Sequence, residues 1–170
     1  GELMLTRLGH IFLQSRGIDI LWKDAREILT ADDSPSSSDY KRFISASCDF
    51  SPDDTLTAEL SSGKANSFIT QGFIASDKKH ETVLLGRGGS DVSAAYLAAK
   101  MQAQRLEIWT DVPGMYTANP RKVPSARIIR SLCYEEAQEI ASLGAKVLHP
   151  RCIAPAKKYA IPLFIKCMQR

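Results

Sequence analysis

The stretch Leu84-Leu85-Gly86-Arg87-Gly88-Gly89-Ser90-Asp91 constrains the fold more than any other part of the chain. Its order of apolar residues, a glycine-rich turn and then an Ala- and Leu-rich run predicts a strand, a tight turn and a helix over Asp91 to Gln104. Glycines let backbone approach a ligand closely, and a helix start offers free N–H groups and the positive end of its dipole to an anion. Arg87 adds a planar fork suited to a carboxylate, while Ser90 and Asp91 either cap the helix or reach a substrate. A tight turn with an ordinary cap would account for the same residues. The dinucleotide fingerprint GxGxxG is not matched and GxxxxGK[ST] is absent, so Rossmann and P-loop readings lose support.

The rest of the chain follows an alternating plan. Leu3, Leu5, Leu8, Ile11, Phe12 and Ser15 mark one helical face ended by Gly17, and Ile18–Trp22 reads as a strand. Asp32 to Asp54 is polar and Ser/Pro-rich, which predicts a long surface excursion with a short extended piece at Phe43–Ile44. A short helix over Asp54–Ser61 stopped near Gly63, a strand over Ser67–Thr70 and a hairpin of Phe73–Ala75 with Thr82–Leu85 come next. Leu106–Trp109 is a strand, Tyr134–Leu143 a helix closed by Gly144, Ile153–Tyr159 a helix and Ile161–Ile165 a strand. Helices alternating with short apolar strands indicate an α/β fold with a mainly parallel sheet flanked by helices.

The 170 residues, 44% hydrophobic, suffice for one core and exclude collagen, a long coiled coil and wholesale disorder. No run approaches a membrane span and the start lacks a signal-peptide layout, which predicts a soluble, cytoplasmic protein without membrane partners. The four cysteines form no CxxC pair, so reduced and mostly buried thiols are expected. No spacing among His10, His80 and His149 suggests a metal site. The net charge of +3 is uneven, −4 over residues 1–99 and +7 over 100–170. The cations of the second half lie among apolar residues without a basic run or interleaved aromatics, which argues for an acidic small ligand and against nucleic acid.

Two further segments carry chemistry. In Ile108-Trp109-Thr110-Asp111-Val112-Pro113-Gly114-Met115-Tyr116-Thr117-Ala118-Asn119-Pro120-Arg121, a strand delivers Thr110 and Asp111 at its carboxyl end, where open α/β sheets bind ligands. Tyr116 could lie against a base and Arg121 against phosphates; a surface loop punctuated by Pro and Gly is the plain alternative. In Leu143-Gly144-Ala145-Lys146-Val147-Leu148-His149-Pro150, Lys146 sits in apolar surroundings where an ammonium wants an anionic partner, and His149 reads as a structural histidine.

Taken in order, LGRGGSD, IWTDVPGMYTANPR, SLCYEEA and LGAKVLHP resemble the aspartate kinases of the amino-acid kinase family, and the opening GELM and the segment ITQGFI fit the same pattern. The resemblance implies the amino-acid kinase (carbamate kinase-like) fold and phosphoryl transfer from ATP, with Mg²⁺, to the side-chain carboxylate of L-aspartate, the entry to lysine, threonine and methionine synthesis. By similarity Glu2 would hold the substrate amino group, and Arg87, Ser90 and Asp91 would bind and orient aspartate. Thr110, Asp111, Tyr116 and Arg121 would line the nucleotide site, and Lys146 would face the ATP phosphates. Arg87, Asp91 and Lys146 would be the catalytic set, with no protein metal ligand. Residues 1–170 would be a partial kinase domain, with substrate-side elements in 1–99 and the nucleotide-binding half in about 100–170.

This agrees with the chemistry of the residues. An aspartate side chain, pKa about 3.9, is already an anionic nucleophile at neutral pH, so no general base is needed. The difficulty is bringing two anions together, which calls for glycine turns and Lys/Arg instead of a His or Cys nucleophile.

The chain departs from the family pattern in lacking a K-x-G-G-T/S motif and the regulatory ACT modules, as expected of an excised fragment. Cys133 stands where a Ser-type cap is usual, and Asn119 where Asp is common. A homodimer and a possible fusion to another enzyme domain are implied for the full-length protein. The competing readings are another amino-acid kinase acting on glutamate or acetylglutamate, and a non-catalytic nucleotide-binding or assembly module.

Overall fold

The computed structural model describes residues 1–32, 39–62, 67–143 and 147–168. Helix α1 (Glu2–Ser15) forms over the expected span and ends where Gly17 adopts φ +77°, its N–H donating to the Gln14 carbonyl. Its apolar stripe is not core, however. Met4, Leu5, Leu8, Ile11 and Phe12 are all more than half exposed, and the helix instead docks through Thr6, which accepts from Trp22 Nε1. Gly9 also lies against Ile69.

Strand β1 (Leu21–Trp22) is shorter than expected and pairs in parallel with β2 (Phe68–Ile69), Leu21 opposite Phe68. Asp24 then caps a four-residue helix that the sequence pattern did not show, α2 (Ala25–Ile28), through the Arg26 N–H. The Arg26 guanidinium on the same carboxyl holds Asp24 below the usual carboxylate range.

The region expected as a surface excursion is only partly that. Residues 33–38, with the Ser/Pro run, lie outside the described part, and 39–44 form helix α3 (Asp39–Ile44) in place of an extended piece. Beyond it, Ala46 and Cys48 are buried in the core: Ala46 N–H donates to Leu84 O, and Asp32 N–H to Ser47 O. The cause is distant in sequence. The Arg151 guanidinium donates to the carbonyls of Leu85 and Ala46, tying the 45–47 segment to the end of the hairpin.

Helix α4 (Asp54–Ser62) precedes β2, and the expected hairpin is β3 (Ile74–Ser76) antiparallel to β4 (Thr82–Leu84). Its turn is closed by Asp77 Oδ1, which accepts from the N–H groups of Lys79 and Glu81. Helix α5 (Gly89–Lys100) starts two residues before the expected Asp91 and ends before the expected Gln104. Strand β5 (Leu106–Thr110) pairs in parallel with β6 (Leu163–Cys167), joined through α6 (Tyr134–Ser142) and α7 (Pro150–Lys158). Helix α7 begins three residues earlier than expected, because Pro150 takes the first helical position, where its missing N–H costs nothing.

The α/β class holds, with two parallel strand pairs and one antiparallel hairpin among the described residues. The core lies where Val92, Ala95 and Ala99 of α5 meet Cys152, Ile153 and Ala156 of α7 above Leu85 and Ile108. Leu85 and Ile153 are almost wholly buried, each contributing about 1.5–3 kcal/mol. Phe50 stacks on Tyr96 of α5 at 5.4 Å and meets Tyr159 edge-on at the end of α7, and so bridges the two helices there.

All four cysteines are unpaired; burial pushes the Cys48 and Cys152 thiols up to about 12, while Cys133 is exposed. Among the described residues no helix is long and apolar enough to cross a membrane.

Candidate active site

The Gly86–Gly89 turn is built as the glycines demand. Gly86 and Gly88 take φ +76° and +69°, conformations that cost other residues energy, and Gly89 N–H closes the turn onto Gly86 O. Gly88 is the N-cap of α5, and no side chain caps that helix. Ser90 and Asp91 therefore do not serve as caps; Ser90 is exposed and Asp91 half-buried at the first turn. Arg87 stands exposed at the tip, with no carboxylate partner among the described residues.

A second helix start meets the first here. His149 is the N-cap of α7, its Nδ1 accepting the Arg151 N–H at 3.3 Å. Its side chain lies so close beneath Gly88 that a Cβ on the glycine would sit 2.4 Å from His149 Cβ. Since Nδ1 accepts, the neutral ring carries its proton on Nε2. Burial lowers the His149 pKa, the charges of Arg151 and Arg87 lower it further, and Asp91 opposes them. The structural role expected for His149 is thus met by capping and by packing under the turn. The N-terminal ends of α5 and α7, each equivalent to roughly half a positive charge, meet at one place beside Arg87.

Burial holds the Asp91 carboxyl above its ordinary 3.8, with His149 pulling it the other way. Between that ordinary value, which the unfolded chain has, and the raised value, the folded chain binds more protons. Stability conferred by this position therefore falls as pH rises through that window and stays lower at neutral pH. We expect Asp91→Asn to melt at or above the wild-type temperature at pH 7 and to flatten the acid side of the stability profile, while reducing turnover. Thermal melts between pH 3 and 7 check it.

The opposite wall is the Gln71-Gly72-Phe73 segment, which the sequence flagged only through ITQGFI. A Cβ on Gly72 would lie 3.0 Å from Ser90 Cα, and Phe73 holds φ +72° although it is not glycine. Strained backbone of this kind clusters at functional sites. Glu2, in the first turn of α1, reaches this wall indirectly: Gln71 Nε2 donates to Thr6 Oγ1 at 2.7 Å, and Thr6 donates to the Glu2 carbonyl.

On the other side, Thr110 closes β5, its Oγ1 donating to Asp111 Oδ1 at 3.1 Å, and its carbonyl accepts the Met168 N–H. Asp111 is exposed. The chain then makes an excursion anchored by buried Met115 and bridged from Tyr116 to Ile128. Arg121 is exposed at its tip, its N–H held by Asn119 Oδ1 at 3.0 Å. An Asp at position 119 would offer the same acceptor.

Arg87, Ser90 and Asp91 are thus brought together around one turn, and Thr110 with Asp111 around one strand end. Tyr116 and Arg121 stand apart on the excursion, and Lys146 lies outside the described residues. No hydrogen bond or ion pair joins the two groups directly among the described residues. What relates them is α5, which starts at the turn and packs on both β5 and α7. Among the described residues no group of three or more His, Cys, Asp or Glu side chains is placed to hold a metal ion.

An α/β fold with two helix starts meeting at a glycine-rich turn is the class this arrangement defines, and residues 1–167 match the amino acid kinase family. The chain belongs to that family. It is 43% identical over 97% of its length to the lysine-sensitive aspartokinase 3 of Escherichia coli, covering 35% of that protein. It is 37% identical over 98% of its length to a bifunctional aspartokinase/homoserine dehydrogenase of Buchnera aphidicola, covering 20% of it. Its fold matches the crystal structure of E. coli aspartokinase III in complex with aspartate and ADP, with TM-score 0.81, 40% identity, and coverage of 98% of this chain and 36% of that one. The chain thus spans about a third or less of the length of these relatives.

Proposed function

We propose that this chain is most of the catalytic domain of an aspartate kinase, transferring the γ-phosphoryl group of ATP to the β-carboxylate of L-aspartate. The observation that carries this reading is the meeting of the α5 and α7 N-termini beneath the Gly86–Gly89 turn, with Arg87 exposed at its tip and without a carboxylate partner among the described residues. Similarity to proteins named aspartokinase, one of them solved with aspartate and ADP, gives that site its substrates.

Arg87 grips a substrate carboxylate, and the first-turn N–H groups of α5 lower the repulsion between that anion and the triphosphate. Glu2 takes the substrate ammonium, while Ser90 and Asp91 fix its orientation. A β-carboxylate oxygen then attacks the γ-phosphorus, a new P–O bond forms, and the bond to the β-phosphate bridging oxygen breaks to release ADP. The aspartate is ionised at neutral pH, so no proton has to be removed.

Thr110, Asp111, Tyr116 and Arg121 hold the nucleotide in this reading, and Lys146 faces its phosphates. The donor set suits a nucleotide, since hydroxyl and carboxylate stand together at a strand end. Mg²⁺ bound to the nucleotide would supply charge neutralisation on the phosphates. Residues 1–99 form the substrate side and about 100–170 the nucleotide side. A cytoplasmic homodimer and fusion to a second enzyme domain belong to the same proposal.

Calorimetric titration of the complete polypeptide tests it. Heat with L-aspartate that Arg87→Ala abolishes, and heat with MgATP that Asp111→Ala weakens, are expected. No heat with either ligand would leave only an assembly role.

A further inference from the structure

We propose that Ser93 is a positioning residue that latches the strained Phe73 backbone to helix α5 and thereby sets how the Gln71–Phe73 segment sits against the start of that helix, beside the proposed aspartate-binding residues. Ser93 sits one turn into α5 and is 1% exposed, yet its hydroxyl both donates and accepts. Its Oγ donates to Gly89 O within the helix at 2.9 Å and accepts the Phe73 N–H, from the facing segment, at 2.9 Å. One hydroxyl thus joins the first turn of α5 to the one residue of the facing wall that holds a left-handed backbone without being glycine.

The surroundings show why such a latch is needed. Phe73 at φ +72° is in a conformation that a bulky side chain avoids, so something outside its own preference must hold it. Its carbonyl is fixed by the Leu85 N–H at 2.9 Å, which extends the β3–β4 hairpin up to the glycine turn. The N–H half is fixed by Ser93 alone among the described residues. The contact is also close: a Cβ on Gly89 would sit 2.6 Å from Phe73 Cδ2, and one on Gly72 3.0 Å from Ser90 Cα. The two walls therefore approach to van der Waals distance at Gly72–Ser90 and Phe73–Gly89, and Ser93 is the polar link that registers them.

Without the hydroxyl, the Phe73 N–H loses its buried acceptor and the residue is free to relax toward negative φ. That would swing Gly72 away from Ser90 and loosen the residues proposed to hold the substrate carboxylate. The β5 end, where the nucleotide residues lie, is not touched by this link. The kinetic consequence rests on the aspartate kinase reading, whereas the latch itself does not.

The test uses Ser93→Ala and Ser93→Thr in the complete polypeptide, with two readouts. Hydrogen exchange at the Phe73 amide reads the latch independently of any activity. We expect it to speed at least tenfold in Ser93→Ala, while core amides away from Phe73, such as Leu106 and Ile108, keep their protection, and to return toward wild type in Ser93→Thr, which keeps the hydroxyl. An unchanged Phe73 rate in Ser93→Ala overturns the proposal.

Steady-state kinetics read the consequence. The KM for aspartate should rise about tenfold or more in Ser93→Ala, with the KM for MgATP within twofold of wild type and substantial recovery in Ser93→Thr. A drop in kcat with both KM values unchanged would mean lost active protein and would also overturn it. A wild-type protein that does not turn over aspartate would defeat the kinase reading, and the exchange result would still decide the latch.

Discussion

Replacing Gly88 by alanine should be the most damaging change of its kind among the described glycines. The new Cβ would meet His149 Cβ at 2.4 Å and Cγ at 2.7 Å, with the backbone held at φ +69°. A left-handed conformation costs a non-glycine residue about 1–2 kcal/mol, and overpacking adds about 1–3 kcal/mol. At roughly 2–4 °C per kcal/mol for a domain of this size, melting should fall by roughly 4–20 °C. Activity should fall further than stability, because the only relief is to part the N-terminal ends of α5 and α7. Gly17→Ala is the control: it shares a positive φ of +77° but meets nothing within 4 Å. It should cost only about 1–2 kcal/mol and leave turnover intact. Thermal melts and kinetics on the pair check this, and equal losses in both would show that the contact with His149 does not matter.

Arg87→Ala should behave in the opposite way, with stability unchanged and function lost. The side chain is exposed and has no carboxylate partner among the described residues, so melting should stay within about 0.5 kcal/mol of wild type. A charge-assisted hydrogen bond is worth about 1.5–3 kcal/mol, so losing a two-pronged grip on the substrate should lower kcat/KM by roughly 10²- to 10⁴-fold. Arg87→Lys should recover little, since an ammonium keeps the charge without the planar fork. Full activity in Arg87→Ala would remove the residue from the site.

These two residues also show what could be read from sequence. The glycine turn was legible because positive φ is a local demand that only glycine meets cheaply, and the hairpin and the β5–α6–α7–β6 succession because their apolar runs are local as well. The start of α7 was legible in principle, since Pro150 is a helix-start signal, yet His149 gave no sign of being its cap. Phe73 was invisible for the opposite reason: its left-handed backbone goes against its own preference and is imposed by Ser93 and Leu85, twenty and twelve positions away. The burial of Ala46 and Cys48 likewise depends on Arg151, more than a hundred positions on. The stripe on α1 gave the helix but not its exposure, because an apolar helical face shows that a surface is to be covered and not by what.

Hydroxylamine trapping of an acyl phosphate tests the central claim most directly. The complete polypeptide, given MgATP and either L-aspartate, L-glutamate or N-acetylglutamate, should release ADP and give a hydroxamate with aspartate, at far lower rates with the other two. A hydroxamate from glutamate or acetylglutamate but not from aspartate, or ADP release without any acyl phosphate, would contradict it.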